Sequence, residues 1–198
     1  GDTVVIQRAG DVIPEVVEVV TAKRLPNSQP FVISNICPAC GESAEKPEGE
    51  VILRCVNPGC PAILRESLKH FVARRAMNIE GLGDKQIDAL VAAELVKCPS
   101  DLYRLRAGDI LSLERQGEKS ATNLIESIQA SRKTQLARVI YAMGIRFVGE
   151  ATAKSLAKFY KTLEQFLGAS EESLMQVPDI GEKVAQTILT ALRGPYLK

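Results

Sequence analysis

The sequence has few aromatic residues, no long apolar run and almost no net charge. Aromatic residues make up 5% of the 198 residues and tryptophan is absent, which argues against a surface of exposed rings for stacking single-stranded bases. A net charge of +1 excludes a strongly basic tail and an acidic disordered chain. No apolar run approaches the roughly 18 residues that cross a bilayer, and the N-terminus has no signal-peptide pattern. We therefore expect a soluble, globular protein of the cytoplasm that contacts no membrane.

β-Branched residues dominate positions 3–20, where a Gly-Asp pair interrupts the run. This pattern predicts two strands of a hairpin or a corner. Because a two-stranded unit is marginal in water, we expect the partner strands of this β segment to lie outside the chain. The polar stretch 23–30, which contains two prolines, predicts a linker.

Four of the five cysteines follow a pattern that is typical of a zinc site. Cys37-x2-Cys40 and Cys55-x4-Cys60 are short loops that contain Pro and Gly, so their sulfurs can converge on one tetrahedral ion. Disulfides and free thiols are the alternatives, and persistent disulfides are disfavoured without a secretion signal. Four thiolates leave no open position for water, so the predicted zinc is structural. The fifth cysteine, Cys98, stands alone.

An amphipathic helix is predicted after the cysteines. From Ile63 to Ala76, apolar residues recur three and four positions apart. The helix contains His70, the only histidine. We interpret it as an ordinary helix residue rather than a general base, and we assign no catalytic residue to the chain.

A four-fold repeat occupies residues 81–190. Its units are aligned on Gly83, Gly117, Gly149 and Gly181, which lie 34, 32 and 32 residues apart. Each glycine is followed by an acidic residue, by a small or apolar residue four positions on, and by Leu or Ile seven positions on. Tetratricopeptide and ankyrin repeats have a similar period but different residues.

The repeat predicts a tight turn that opens a helix. Glycine there permits a positive φ and a close backbone approach, and the acidic residue suits the positive N-terminus of the helix. Unpaired backbone N–H groups would point outward, where a phosphate oxygen is their natural partner. Phosphate contact carries no base-sequence information. The repeat therefore predicts sequence-independent binding of a nucleic-acid backbone.

The four units resemble the helix-hairpin-helix motif, in which a hydrophobic residue lies between two glycines ahead of a helix. The first unit matches fully, the second lacks the first glycine and the hydrophobic residue, the third appears longer, and the fourth has Asp179 for the first glycine. For any single unit, helix packing alone is the alternative. The predicted DNA contacts, which include basic residues beside the turns, are Gly81, Leu82, Gly83, Lys85, Arg115, Gly117, Lys119, Gly144, Arg146, Gly149, Ile180, Gly181 and Lys183.

The order of these segments resembles that of bacterial NAD-dependent DNA ligases. Two further strings fit this family: Gly-Ile-Arg-x-Val-Gly-Glu-Ala-Thr-Ala at 144–153 and Val-Pro-Asp-x-Gly at 177–181. The resemblance implies a mainly α fold of four helix-hairpin-helix units, preceded by a small four-Cys zinc finger and β-strands of an incomplete OB fold. The implied boundaries are 1–34 for the C-terminal part of the OB-fold domain and linker, 35–66 for the zinc finger, and 67–198 for the helix-hairpin-helix DNA-binding domain.

The resemblance also implies a function for the parent enzyme, which would seal 5′-phosphate/3′-hydroxyl nicks in duplex DNA during replication and repair. NAD and magnesium would serve the parent alone, whose AMP-carrying lysine lies in a Lys-x-Asp-Gly motif. The nearest string here, 46–49, reads Lys-Pro-Glu-Gly and is interpreted as a polar turn. The implied role is a non-catalytic DNA grip, monomeric and nucleoid-associated, acting on double-stranded and preferably nicked DNA with an adenylation domain in cis.

Three other classes stay open at this stage. A helix-hairpin-helix module of another repair protein, such as a nuclease subunit, and a zinc-containing RNA-binding protein would both lack the strands ahead of the cysteines. A protein–protein repeat scaffold would show no salt-dependent affinity for DNA.

Overall fold

The structure, a computed structural model, describes residues 1–10, 12–46, 51–113 and 117–194. These residues form two small antiparallel sheets followed by helices. The strands are β1 (Val4–Ala9), β2 (Ile13–Val19), β3 (Ala44–Glu45) and β4 (Arg54–Cys55). The α-helices are α1 (Pro61–Val72), α2 (Asp84–Ala92), α3 (Ala107–Leu111), α4 (Glu118–Ser131), α5 (Leu136–Ala142), α6 (Glu150–Tyr160), α7 (Leu163–Leu167), α8 (Glu171–Met175) and α9 (Glu182–Arg193). Short 3₁₀ helices span Thr21–Lys23 and Pro99–Arg104.

The first two strands form the hairpin that the β-branched run predicts. They pair antiparallel, with a register irregularity between Val5 and Ile6. Apolar side chains along both strands are exposed, including Ile6 at 59% and Ile13 at 68%. Within the described residues the hairpin therefore has no buried core of its own, since apolar surface left in water does not stabilise a fold.

The helices pack as four pairs, which confirms the helix-hairpin-helix fold. The pairs are α1 with α2, α3 with α4, α5 with α6, and α8 with α9. The 3₁₀ helix Pro99–Arg104 connects the first pair to the second, and α7 connects the third pair to the fourth. Each half of the helical region thus consists of two hairpins and one short connecting helix.

Two hydrophobic cores correspond to these halves. The first contains Leu68 from α1, Ile87 from α2 and Ile128 from α4. The second is built from α5 to α9, with Phe166 fully buried at its centre. Helix α5 contributes to both cores, because Ile140 packs into the second and Ala142 into the first. The shared helix gives the two halves a common packed element.

Hydrogen bonds from α5 to α1 and to the residues just after α1 also join the two halves. His70 Nε2 lies 2.7 Å from the backbone oxygen of Tyr141. Arg138 Nε donates to the backbone oxygen of Ala76 at 2.7 Å. Just after α5, Gly144 has a φ of +64°, and a Cβ there would lie 3.4 Å from His70 Cδ2. His70 therefore packs and forms a hydrogen bond where α1 meets α5. This position agrees with the interpretation of His70 as an ordinary helix residue.

The repeated apolar positions are core positions. The small residues Ala121, Ala153 and Ala185 have no exposed surface, and the Leu or Ile three positions later in each unit is at most 4% exposed. Alanine at these places lets the two helices of a hairpin approach closely, because a larger side chain would overfill a packed core. Within the described residues, no helix has the length and apolar character that would be needed to cross a bilayer.

Candidate metal centre and nucleic-acid interface

The four sulfurs of the cysteine cluster lie where one zinc ion would hold them. All Sγ atoms of Cys37, Cys40, Cys55 and Cys60 fall within 4.8 Å of one another, with Cys37 and Cys60 3.9 Å apart and Cys40 and Cys55 3.5 Å apart. Tetrahedral Zn–S bonds of ~2.3 Å would separate the sulfurs by ~3.8 Å. All four thiols are free of disulfides. The donor set fits a closed, structural zinc site, as the spacing predicts.

Two turns shape this site. In the first loop, the positive φ of Gly41, +76°, turns the chain back so that its N–H donates to the Cys37 backbone oxygen at 2.9 Å. In the second, the Gly59 N–H donates to the side-chain oxygen of Asn57 at 2.8 Å. Strands β3 and β4 pair Ala44 with Cys55. The pairing brings the two cysteine loops together.

In the metal-free cluster the thiols of Cys37 and Cys55 have pKa values that are shifted in opposite directions. The backbone N–H groups of Ala39 and Cys40 donate to the Cys37 sulfur and lower its pKa to about 7. At Cys55 the Asn57 N–H also acts to lower the pKa, but desolvation and the neighbouring thiols outweigh it and raise the pKa to about 12. A bound divalent ion would lower the pKa of all four thiols, because its charge stabilises every ligand as a thiolate.

The last ligand, Cys60, also starts α1. It is fully buried and is the N-cap of the helix, with Pro61 in the first turn. Its backbone oxygen accepts a hydrogen bond of 3.0 Å from the Leu64 N–H. Zinc binding would therefore fix the N-cap of α1, the helix that contributes Leu68 and Val72 to the first hydrophobic core.

The four repeated glycines have a common position in the structure, at the N-caps of α2, α4, α6 and α9. Their φ values run from −82° to −100° with extended ψ, a conformation open to any residue. The expectation of a positive φ at these glycines is therefore wrong. A Cβ added at Gly117, Gly149 or Gly181 would meet nothing within 4 Å, and at Gly83 only the Gln86 side chain at 3.4 Å. Neither backbone conformation nor internal packing requires glycine at these caps.

The same four helices have no side-chain cap. The N-cap residues of α2, α4, α6 and α9 are glycines and make no side-chain cap hydrogen bond. The N-caps of α1 and α5, Cys60 and Gln135, make none either. In contrast, Thr162 caps α7 and Ser170 caps α8 through their hydroxyl oxygens. The repeated glycines thus leave backbone N–H groups accessible at the positive end of each helix dipole, which is a favourable place for an anion.

The positive φ occurs two residues before three of these glycines. Gly81, Phe147 and Asp179 have φ values of +83°, +65° and +64°. The third unit is therefore not longer than the others, because Phe147 occupies the place of Gly81. Our sequence analysis missed Phe147, although counting back two residues from Gly149 would have found it. The equivalent position of the second unit, Arg115, lies outside the described residues.

Between the two turn positions lies an apolar residue that anchors the turn. Leu82, Val148 and Ile180 are 4–6% exposed and belong to the two cores. Val148 is thus the residue of the third unit that is equivalent to Leu82 and Ile180, and the alignment of the repeats did not identify it. Because the side chains of Leu82 and Ile180 point into the protein, only their backbones are available for the DNA contacts predicted for them.

Exposed basic side chains stand beside the turns. These are Lys85, Lys119 and Lys183, each the second residue of its helix, and Arg146 in the third turn. Two acidic first residues have nearby cations: Asp84 Oδ2 lies 3.6 Å from Lys69 Nζ, and Glu150 Oε1 lies 3.1 Å from Arg75 Nη1. These pairs reduce the repulsion that the carboxylates would exert on an approaching phosphate. Gly144 lies apart from the turns, beside His70, and its DNA contact stays a prediction.

The third and fourth turns meet at the ring of Phe147. The guanidinium carbon of Arg146 lies 4.6 Å from the ring centroid, and Lys183 Nζ lies 5.7 Å from it. Both cations are within the range of a cation–π interaction. Arg146 and Lys183 also line a cleft of ≈ 1320 Å³ that reaches α1. The basic residues of two hairpin units are thereby brought to one place.

Comparison with known families identifies two segments of the chain. Residues 37–62 match the NAD-dependent DNA ligase C4 zinc finger domain, and residues 138–196 match the helix-hairpin-helix motif. The first match contains all four zinc ligands. The second contains the third and fourth hairpin units.

Curated proteins match the chain along its whole length. A DNA ligase of Bdellovibrio bacteriovorus is 60% identical over 198 residues, which is 100% of this chain and 29% of that protein. DNA ligases of Nitrosococcus oceani and Methylococcus capsulatus are 51% and 48% identical over 197 residues, 99% of this chain and 29% of each protein. The chain therefore spans less than a third of the length of these relatives.

Proposed function

We propose that this chain, which corresponds to a segment of NAD-dependent DNA ligases, holds the enzyme on duplex DNA by binding backbone phosphates. The observation that carries the proposal is the set of four glycine N-caps. All four are extended and make no side-chain cap, and Gly117, Gly149 and Gly181 are next to open space while Gly83 faces only the Gln86 side chain; a ligand outside the protein can therefore approach them. A phosphate oxygen accepts hydrogen bonds from such N–H groups and is attracted by the helix dipole.

Binding of this kind is independent of base sequence. Contacts to phosphate and sugar position a protein on the duplex without reading the bases. The basic residues beside the turns would displace counterions from the DNA, so affinity would fall steeply as salt rises. A grip of this type suits an enzyme that must act at a nick wherever it occurs.

The chemistry of nick sealing is assigned to the rest of the parent enzyme. Within the described residues, the four cysteines are the only cluster of three or more His, Cys, Asp or Glu side chains that could hold a metal ion, and their four thiolates would fill every coordination position of a zinc ion and leave none for a reacting group. NAD would supply AMP to a lysine of an adenylation domain joined in cis, and we propose that this segment alone neither becomes adenylated nor ligates.

The zinc finger would set the geometry of the grip. Because Cys60 is both a ligand and the N-cap of α1, the ion would link strands β3 and β4 of the zinc finger to the first hairpin. We propose that this link orients the four hairpins on duplex DNA, with a preference for a nicked duplex. The parent bacterial ligase would act as a monomer at the nucleoid.

A titration against several nucleic acids tests this function. We expect the chain to bind two duplexes of unrelated sequence with equal Kd, to bind nicked duplex at least as well, and to bind hairpin RNA more weakly. Log affinity should fall linearly with log salt, with a slope of about −0.9 for each phosphate neutralised. Different affinities for the two duplexes, or an affinity that does not change with salt, would contradict the proposal.

A further inference from the structure

We infer that the ring of Phe147 enters the DNA minor groove, between backbone contacts made by Arg146 and Lys183. The inference rests on the proposed DNA-binding function and adds to it an apolar residue that the phosphate contacts alone do not require. Its location is the point where the third and fourth hairpin turns meet.

The ring of Phe147 contacts two cations but is not packed into the protein interior. Phe147 is 46% exposed and belongs to neither hydrophobic core. Its neighbour Val148, by contrast, is buried in the second core and anchors the turn. A large apolar side chain that is exposed beside a binding surface is a candidate contact, because an exposed ring gains most from burial by a partner.

The backbone at this position also argues against a purely structural role. Phe147 has a φ of +65°, whereas the equivalent positions carry Gly81 and Asp179. Glycine adopts a positive φ without steric cost, and aspartate tolerates it better than an aromatic residue. A phenylalanine at this φ therefore costs more conformational free energy than Gly81 or Asp179 at the equivalent positions.

The charges around the ring indicate the partner. Arg146 lies 4.6 Å and Lys183 5.7 Å from the ring centroid, and the two cations come from different hairpin units. An apolar wedge between cations matches a duplex, where a groove lined by sugars and base edges runs between two rows of phosphates. An apolar protein surface would not complement the two charges.

Replacing Phe147 with glycine separates the effect of the aromatic ring on DNA binding from the effect of the turn conformation. In Phe147→Gly the positive φ is retained at no steric cost, so the melting temperature should be equal or higher. We expect the variant chain to bind duplex DNA about tenfold more weakly, with the same salt slope as the wild type, because no charge is removed. Lys183→Ala should also bind more weakly, but with a slope reduced by about one. Phe159→Ala, which removes a 39% exposed ring of α6 away from the turn, should bind as the wild type does.

Two results would overturn the inference while leaving the proposed function intact. One is an unchanged affinity of Phe147→Gly. The other is a weakened affinity with the reduced slope of Lys183→Ala, since the ring would then act only by holding the cations in place. If the wild-type chain binds no duplex even at low salt, the proposed function itself fails.

Discussion

Replacing both Gly149 and Gly181 by valine is expected to weaken DNA binding about 100-fold while the protein stays folded. A Cβ at either position meets nothing within 4 Å, and valine readily adopts the extended conformation that both glycines have. The added methyl groups would instead stand in front of the first N–H groups of α6 and α9. Each blocked phosphate contact should cost about tenfold in affinity, or roughly 1.4 kcal/mol.

The measurement is a fluorescence-anisotropy titration of labelled duplex, together with the thermal unfolding of each variant. Gly108→Val is the matched control, because Gly108 is exposed, also has nothing within 4 Å, and lies inside α3 rather than at a hairpin turn. The control should bind like the wild type. Equal affinity of the double variant and the control would show that the N-caps do not receive phosphate.

Replacing Cys60 by serine is expected to abolish zinc binding and to loosen the first half of the helical region. The wild-type chain should carry one zinc ion and the variant none, because a neutral hydroxyl is a poor fourth ligand for a site built for thiolate sulfur. Folding of such small sites depends on the metal. Cys60 also starts α1, which places Leu68 and Val72 in the first core.

Metal analysis and thermal unfolding measure this effect. A loss of ~2 kcal/mol from the first core would lower its Tm by roughly 8–16 °C, whereas the second core has no contribution from α1 and should change little. Cys98→Ser is the control, since Cys98 lies outside the cluster and should retain both the zinc and the Tm. A Cys60→Ser chain with unchanged Tm would contradict a structural role for the ion.

The sequence predicts the zinc site and the repeat well because both depend on spacing along the chain. The two cysteine pairs each close a local turn, so their intervals carry most of the information needed to place the sulfurs. The repeat is equally local: Ala153 and Leu156 lie one turn apart on one helix face, and both are fully buried. Patterns of this kind need no knowledge of distant contacts.

The details of the turns depend on tertiary structure and were predicted less well. A glycine can serve a positive φ, a close contact or an external ligand, and residue type alone does not distinguish these uses. The structure assigns the positive φ to Gly81 and leaves the extended conformation to Gly83. It likewise places Phe147, rather than an inserted residue, at the turn of the third unit.

The contacts between units could not be read from the sequence at all. Lys183 and Phe147 are separated by a whole helical unit, yet they meet at one surface. The division into two cores that share α5 also depends on tertiary packing. Ile140 packs into the second core and Ala142 into the first, and nothing in the local sequence distinguishes the two. The boundaries 1–34, 35–66 and 67–198 remain a prediction, as do the DNA contacts of the individual residues.

The central claim, that helix N-termini bind backbone phosphates, is tested most directly by following backbone amide signals in an NMR titration of the chain with nicked duplex. The account predicts that the largest amide shifts fall in the first turns of the glycine-capped helices, at 84–86, 118–120, 150–152 and 182–184. The first-turn amide signals of α7 and α8, which are capped by Thr162 and Ser170, should not move. Shifts confined to other surfaces, with the first-turn amides of α2, α4, α6 and α9 unchanged at saturating DNA, would contradict it.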